Sequence, residues 1–194
     1  MTVAALVLAA GASRRLGEPK QLVSIDGVPL VRRIVERAMA ACDAVCVVLG
    51  ARPERVAGAL VGLDVALTFC PLWFEGMGAS LRTGVAWARA AGHDAVMVLT
   101  CDQPRLTVEH ARSLVDHHHS HARATVASRY ADTLGVPAVF GSAQFDALLA
   151  LEGDRGARAL LRSGGNVIAV DWADGAFDID TPADIARLFG HSAG

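Results

Sequence analysis

The sequence predicts an α/β protein of three layers, α/β/α, built around a mostly parallel, Rossmann-like sheet. Three observations carry that expectation. Short apolar runs recur without in/out alternation, as in strands covered on both faces. Segments with apolar residues at helical spacing lie between them. Strand and helix alternate almost throughout, which implies right-handed crossovers and ligands in the crevice at the strand carboxyl ends.

The first strand is Val3–Ala9, followed after a polar loop by a helix over Leu30–Ala41 and a strand over Ala44–Leu49. Pro53, preset for a first helical turn, opens a helix to Leu60, and Val65–Phe69 returns as a strand. Ala79–Ala91 has helical spacing, and Ala95–Leu99 is a continuous apolar strand. Thr107, just ahead of Glu109 and an apolar stripe, caps a helix running to His119. Strands follow over Ala124–Ala127 and Val136–Phe140, helices over Ala143–Leu151 and Ala157–Arg162, and a last strand over Val167–Val170. Thr181-Pro182 starts a final helix to Leu188 with proline at its first position. No repeat, linker or low-complexity stretch interrupts the pattern, so residues 1–194 are expected to form one domain.

Composition narrows the function classes. With 53% apolar and 20% charged residues, the chain can bury a sizeable core. A net charge of -2 without a basic cluster argues against nucleic-acid or anionic-membrane surfaces, and favours small soluble partners. The apolar stretch Val3–Ala10 is too short to span a bilayer and has no basic segment before it, so the expected location is the cytoplasm. Cys42, Cys46, Cys70 and Cys101 lack redox or zinc spacing and read as reduced, buried thiols. Seventeen of the 18 basic residues are arginines, and the one lysine is Lys20. A site that needs a slim ammonium beside a phosphate oxygen explains that exception.

Lys20 ends the loop that follows the first strand, Leu8-Ala9-Ala10-Gly11-Ala12-Ser13-Arg14-Arg15-Leu16-Gly17-Glu18-Pro19-Lys20-Gln21. Its small residues let backbone amides approach a triphosphate, and Arg15 and Lys20 offset the charge. The loop matches neither the G-x-G-x-x-G fingerprint nor a P-loop, in which lysine follows the last glycine directly. An ordinary Gly-rich strand-to-helix turn is the alternative reading.

Asp102 directly follows a buried strand, where a carboxylate is costly without a cation. Mg²⁺ takes one or two carboxylates together with phosphate oxygens and water, so Asp102 and one further acid would hold it. A turn-initiating aspartate before Gln103-Pro104 is the bland alternative. Gly76-Met77-Gly78-Ala79-Ser80-Leu81-Arg82-Thr83-Gly84 supplies backbone donors and opens a helix, with Ser80 and Arg82 as its polar contacts.

The motif L-A-A-G-x-S-x-R-x-G-x-x-K resembles the nucleotide-binding motif of the MobA-like NTP transferases. Its Pro-Lys-Gln ending is similar to cytidylyltransferases of that group. The Gly76–Gly84 stretch, Cys101-Asp102-Gln103-Pro104, Gly135–Phe140, Gly153–Arg158 and Asp178–Pro182 resemble the molybdenum cofactor cytidylyltransferase branch in the same order. The resemblance implies a sheet of the nucleotide-diphospho-sugar transferase type and transfer of CMP from CTP to the terminal phosphate of molybdopterin, with Mg²⁺ as cofactor. It implies nucleotide contacts from Leu8, Ala9, Ala10, Gly11, Ser13, Arg15, Lys20, Gly78, Ser80, Arg82 and Asp102. Lys20, Arg15 and Asp102 are then the catalytic set, and Asp102 and Asp180 the metal ligands. Asp178 competes with Asp180, and Asp-Thr-Pro is also a plain helix start. Gly135, Pro137, Asp154, Arg155 and Arg158 line the acceptor side, and transient contact with a molybdenum hydroxylase or its maturation factor belongs to the same expectation.

Three other functions remain open on the sequence. Relatives using GTP usually carry Gly-Gly and Asp-Lys where this chain has Ala10-Gly11 and Pro19-Lys20. A cytidylyltransferase for a sugar-like phosphate shares the first motif but not the Gly153–Arg158 or Asp178–Pro182 stretches. A non-catalytic pterin or nucleotide carrier would have no need of Lys20, Asp102 and Asp180 together. His110, His117, His118, His119 and His121 read as a solvated helix face, and Trp73-Phe74 as core.

Overall fold

A computed structural model describes residues 1–13, 15–121, 124–162 and 166–190, residues 189 and 190 by backbone alone. Its frame is a seven-stranded sheet: β1 (Val3–Ala9), β4 (Ala44–Leu49), β5 (Ala66–Phe69), β6 (Ala95–Thr100), β7 (Thr125–Tyr130), β8 (Thr133–Gly141) and β9 (Val167–Asp171). The order across it is β5-β4-β1-β6-β8-β7-β9. Strands β5, β4, β1 and β6 are mutually parallel, as are β7 and β9, while β8 runs antiparallel between β6 and β7.

Strand β1 is central because it has no polar residue to expose. Val3, Ala5, Val7 and Ala9 enter one core, and Leu6 the other. The first core is covered by α1 (Leu30–Met39), α2 (Pro53–Gly58), α4 (Val108–Ser120) and the apolar side of α7 (Pro182–Gly190). The second is covered by α3 (Met77–Ala90), α5 (Phe145–Leu149) and α6 (Arg158–Arg162). This is the expected three-layer arrangement. Among the described residues no helix is long and apolar enough to cross a membrane.

Two hairpins were not foreseen. Strands β7 and β8 join through Ala131 and Asp132, both at positive φ (46° and 55°), the backbone that a two-residue hairpin turn needs. Neither glycine nor asparagine marks that turn in the sequence, so the reading from sequence ended one strand early and began the next late. The small pair β2 (Ser24–Ile25) and β3 (Val28–Pro29) turns on Asp26-Gly27, a legible Asp-Gly signal. Strand β5, at the sheet edge, alternates half-buried and exposed residues instead of being covered on both faces. Several helices are shorter than periodicity suggested: α2 ends at Gly58 and α5 spans only Phe145–Leu149. Thr107 does cap α4, its side chain accepting the His110 amide at 3.1 Å.

The four cysteines are free, three of them buried. Burial pushes the Cys42 and Cys46 thiols up to about 12 and Cys101 higher still, so all three stay protonated.

Candidate active site

The loop leaving β1 is pinned by its own side chains. Gln21, 1% exposed, reaches back so that its Nε2 donates to the Ala9 and Gly11 carbonyls at 2.9 and 2.8 Å. Ser13 holds a left-handed backbone (φ 52°), its Oγ accepting the Lys20 amide at 2.9 Å and donating to Gln21 Oε1 at 3.4 Å. A loop ordered before ligand arrives loses less entropy on binding. Gln21 carried no sequence signal beyond its place after Lys20.

Because β1 and β6 are parallel neighbours, the loops at their carboxyl ends emerge side by side. That adjacency brings Lys20 to Asp102: Nζ lies 2.7 Å from Asp102 Oδ2. The same ammonium lies 3.2 Å from Asp180 Oδ1, and Arg15 Nη2 is 2.9 Å from Asp180 Oδ2. The Ile179 amide, donating to the Asp102 carbonyl at 2.8 Å, ties the late acidic segment to the early one. Burial alone would lower the Lys20 ammonium; the charges and hydrogen bonds of Asp102 and Asp180 outweigh it and raise it above the ordinary lysine value.

Asp180 is not the helix cap. Asp184 reaches back instead, its Oδ2 accepting the amides of Asp180 and Thr181 at 3.2 and 2.8 Å and the Thr181 hydroxyl at 2.7 Å. The Asp180 carboxylate is thereby left to cations. Asp178, two residues earlier, faces the crevice on the Arg158 side. Partial burial and the carboxylates of Asp102 and Asp180 raise it to about 6, against the opposing charges of Lys20 and Arg158.

Among the described residues no cluster of three or more His, Cys, Asp or Glu stands ready to grip an ion. Asp102 and Asp180 nonetheless reach one cation, the Lys20 ammonium, from two sides. A pair of carboxylates with open positions for phosphate oxygens and water fits Mg²⁺ or Mn²⁺ better than a closed structural site.

The crevice has two lobes. One, of about 460 Å³, is walled by Ala10, Gly11, Ser13, Lys20, Trp73 and Ser80. The other, of about 280 Å³, is walled by Gln103, Tyr130, Val136, Ala157, Arg158 and Asp178. Leu8, Met77, Thr100, Asp102 and Asp154 border both, so Asp102 stands where the two meet. Arg15 lines a smaller adjoining cavity of about 220 Å³ with Gly11, Ser13, Lys20 and Asp180.

Other expected residues fall differently. Ala9 is fully buried and contributes its carbonyl to Gln21. The Gly78 amide donates to the Gly153 carbonyl at 2.9 Å and is engaged within the protein. A side chain at Gly78 would meet that carbonyl oxygen at 3.0 Å. Arg82 turns away from the crevice, donating to the Leu151 carbonyl at 2.5 Å. The Gly76–Gly84 stretch therefore braces the 151–154 loop, while Gly76, Met77 and Ser80 line the crevice. Pro137 is buried in the sheet, its carbonyl accepting from Ser128 at 2.7 Å, while Val136 lines the crevice. Gly135 packs under Tyr130 and Arg158. Arg155 is exposed and borders neither lobe.

The residues set aside also divide. Trp73 and Phe74 line the first lobe, with Phe74 64% exposed, so this pair is not simply core. His110 and His118 are buried, the former bonded to Ser128 Oγ at 2.8 Å and stacked on Trp172, so the histidine face is only partly solvated.

Residues 5–167 match the family model of the MobA-like NTP transferase domain. The chain is 32% identical to the purine catabolism protein PucB of Bacillus subtilis, over 91% of each chain. It is 30% identical to the molybdenum cofactor guanylyltransferase of Rhodobacter capsulatus, over 96% of this chain and 95% of that one. The crystal structure of Rv0371c from Mycobacterium tuberculosis H37Rv superposes with a TM-score of 0.82 at 31% identity, covering 98% and 99% of the two chains. A manganese complex of Rv0371C superposes at 0.77, with 29% identity over 98% and 99%. A central, largely parallel sheet with a two-lobed crevice at its carboxyl edge, matched over nearly the full length by such relatives, leads to one conclusion: the chain belongs to the MobA-like NTP transferase family, whose fold is that of nucleotidyltransferases.

Proposed function

We propose that this protein transfers a nucleoside monophosphate from a nucleoside triphosphate to the terminal phosphate of molybdopterin, releasing pyrophosphate. The observation that carries the reading is Asp102 on the border of two lobes, paired with the chain's one lysine and facing Asp180. A transferase with two anionic substrates needs that layout: a place for each, and charge compensation where they meet.

In this reading the first lobe takes the triphosphate and the second the acceptor. An acceptor phosphate oxygen attacks the α-phosphorus, the bond to the β-phosphate breaks, and pyrophosphate leaves with the negative charge. Lys20 and Arg15 hold the triphosphate oxygens. Arg158 faces the acceptor phosphate. A phosphate monoester is largely ionised at pH 7, so no side-chain base is required. Asp102 and Asp180 would hold Mg²⁺ or Mn²⁺, which supplies Lewis-acid neutralisation of phosphate oxygens; the manganese complex of Rv0371C supports a divalent ion in this family.

Two donors have support, from different sources. Ala10 and Pro19, where GTP-using relatives usually carry glycine and aspartate, favour CTP. The name of the Rhodobacter capsulatus relative favours GTP, and none of the relatives above is named as a cytidylyltransferase. One assay separates them: the protein, Mg²⁺, molybdopterin and each of the four nucleoside triphosphates in turn, with pyrophosphate measured. CTP alone active upholds the first donor, GTP alone the second. Silence with all four removes molybdopterin transfer.

A further inference from the structure

The second lobe contains an arginine held by an arrangement that the transfer reaction does not by itself require. Arg158 Nη2 donates to the Tyr130 hydroxyl at 2.9 Å, with its guanidinium carbon 5.8 Å from the centre of the same ring. That hydroxyl donates to the Val136 carbonyl at 2.9 Å and accepts from Gln103 Nε2 at 3.3 Å. The hydroxyl's one hydrogen is used by Val136, and Arg158 and Gln103 approach its lone pairs, Gln103 sharing its two N–H groups among this oxygen and two carbonyls. Tyr130 is 6% exposed and its ring packs edge-on against Trp172. Gln103, 3% exposed, is fixed in turn by the Val136 and Gly175 carbonyls at 3.1 and 3.3 Å. Gly135 leaves the space the group needs: any side chain there would collide with the Tyr130 hydroxyl and come within 2.9 Å of Arg158 Nη2.

Arg158 itself has no ion pair among the described residues, although Asp102 and Asp178 border the same lobe. A partly buried guanidinium clamped at one nitrogen by a hydroxyl, with only the longer-range charge of Asp178 to oppose it, is set to receive a planar or tetrahedral anion. Arg155, exposed and without such a clamp, is not.

We infer that Tyr130 and Gln103 are positioning residues: through the Tyr130 hydroxyl they aim Arg158 at the phosphate monoester of the acceptor, and Gln103, adjacent to Asp102, couples that aim to the loop where the two lobes meet. The inference rests on the proposed transfer and specifies which arginine takes the acceptor and what holds it.

Tyr130→Phe is a clean probe. Without the hydroxyl, Gln103 Nε2 still reaches two carbonyls and Val136 still accepts from Gln103, so only Arg158 loses its partner. Steady-state pyrophosphate release with molybdopterin should show the KM for molybdopterin rising about tenfold in Tyr130→Phe, while kcat and the Kd of the triphosphate stay within about twofold. Arg158→Gln should raise the same KM, and adding Tyr130→Phe to it should add little. An unchanged molybdopterin KM in Tyr130→Phe overturns the inference, as does a parallel loss in kcat and in both affinities. An acceptor-free readout separates this inference from the transfer it rests on: the ¹⁵N signal of the Arg158 guanidinium, assigned with Arg158→Lys. Slow rotation in the unmodified protein that becomes fast in Tyr130→Phe upholds the clamp even if molybdopterin is not the substrate. Identical signals in both remove it.

Discussion

The Lys20 ammonium lies 2.7 Å from Asp102 Oδ2 and, on its other side, 3.2 Å from Asp180. The lysine therefore stands where the two carboxylates can share a cation. A divalent ion arriving alone competes with a tethered charge, whereas a triphosphate offers that charge another partner. Lys20→Met should accordingly abolish turnover and yet tighten Mn²⁺ binding without nucleotide by at least about tenfold, since one like-charge competitor is gone. Electron paramagnetic resonance titration of free Mn²⁺ reads this directly. Equal or weaker binding by Lys20→Met would refute the competition.

Asp102 is 21% exposed and sits at the crevice, not in either core, so its removal should cost activity far more than stability. Asp102→Ala is expected to lower kcat by at least about 10²- to 10³-fold, the range for losing one well-placed electrostatic group. Its thermal melting should stay cooperative, with Lys20 retaining Asp180 as partner. Wild-type-like pyrophosphate release from the folded variant would take Asp102 out of the chemistry.

Gln21 tests whether the first loop is built in advance. Its amide satisfies the carbonyls of Ala9 and Gly11, and replacing it with Ala or Leu leaves both without that donor. Burying such groups unpaired costs about 1–3 kcal/mol. Gln21→Leu should lose stability of that order in urea unfolding and bind triphosphate more weakly, while molybdopterin affinity is spared. Unaltered triphosphate affinity would mean that the loop orders itself around the ligand.

The parts legible in the sequence were those encoded locally. Unbroken apolar runs located the strands around β1, and the position of Asp102 after β6 followed from one boundary. The pairing of Asp102 with Asp180 was reachable only through family resemblance, because a backbone bond from Ile179 creates it and no spacing announces that bond. Gln21, Gln103 and Tyr130 escaped for the same reason: each acts by touching backbone or side chains far away in the chain. Gly78 and Arg82 show a second role that composition does not announce. Their composition suits an anion cradle, but close approach of the 151–154 loop uses both. Asp184, not Asp180, makes the side-chain bonds at the start of α7, a choice between two aspartates that composition could not make.

His110 gives the fold a predictable acid limit. Burial lowers its imidazole to about 4, against Ser128 Oγ and the face of Trp172. In the unfolded chain the same group titrates near ~6.5. Between those values the unfolded chain binds the extra proton, so stability rises with pH across that window. The contribution is fully present above about pH 6.5 and is lost as pH falls towards 4, amounting to about 3 kcal/mol. Urea midpoints at pH 7, 6, 5 and 4 should decline for the unmodified protein. His110→Gln, which cannot titrate, should remove that part of the slope while keeping a polar contact to Ser128. If both proteins lose stability equally between pH 6.5 and 4, His110 is not the group responsible.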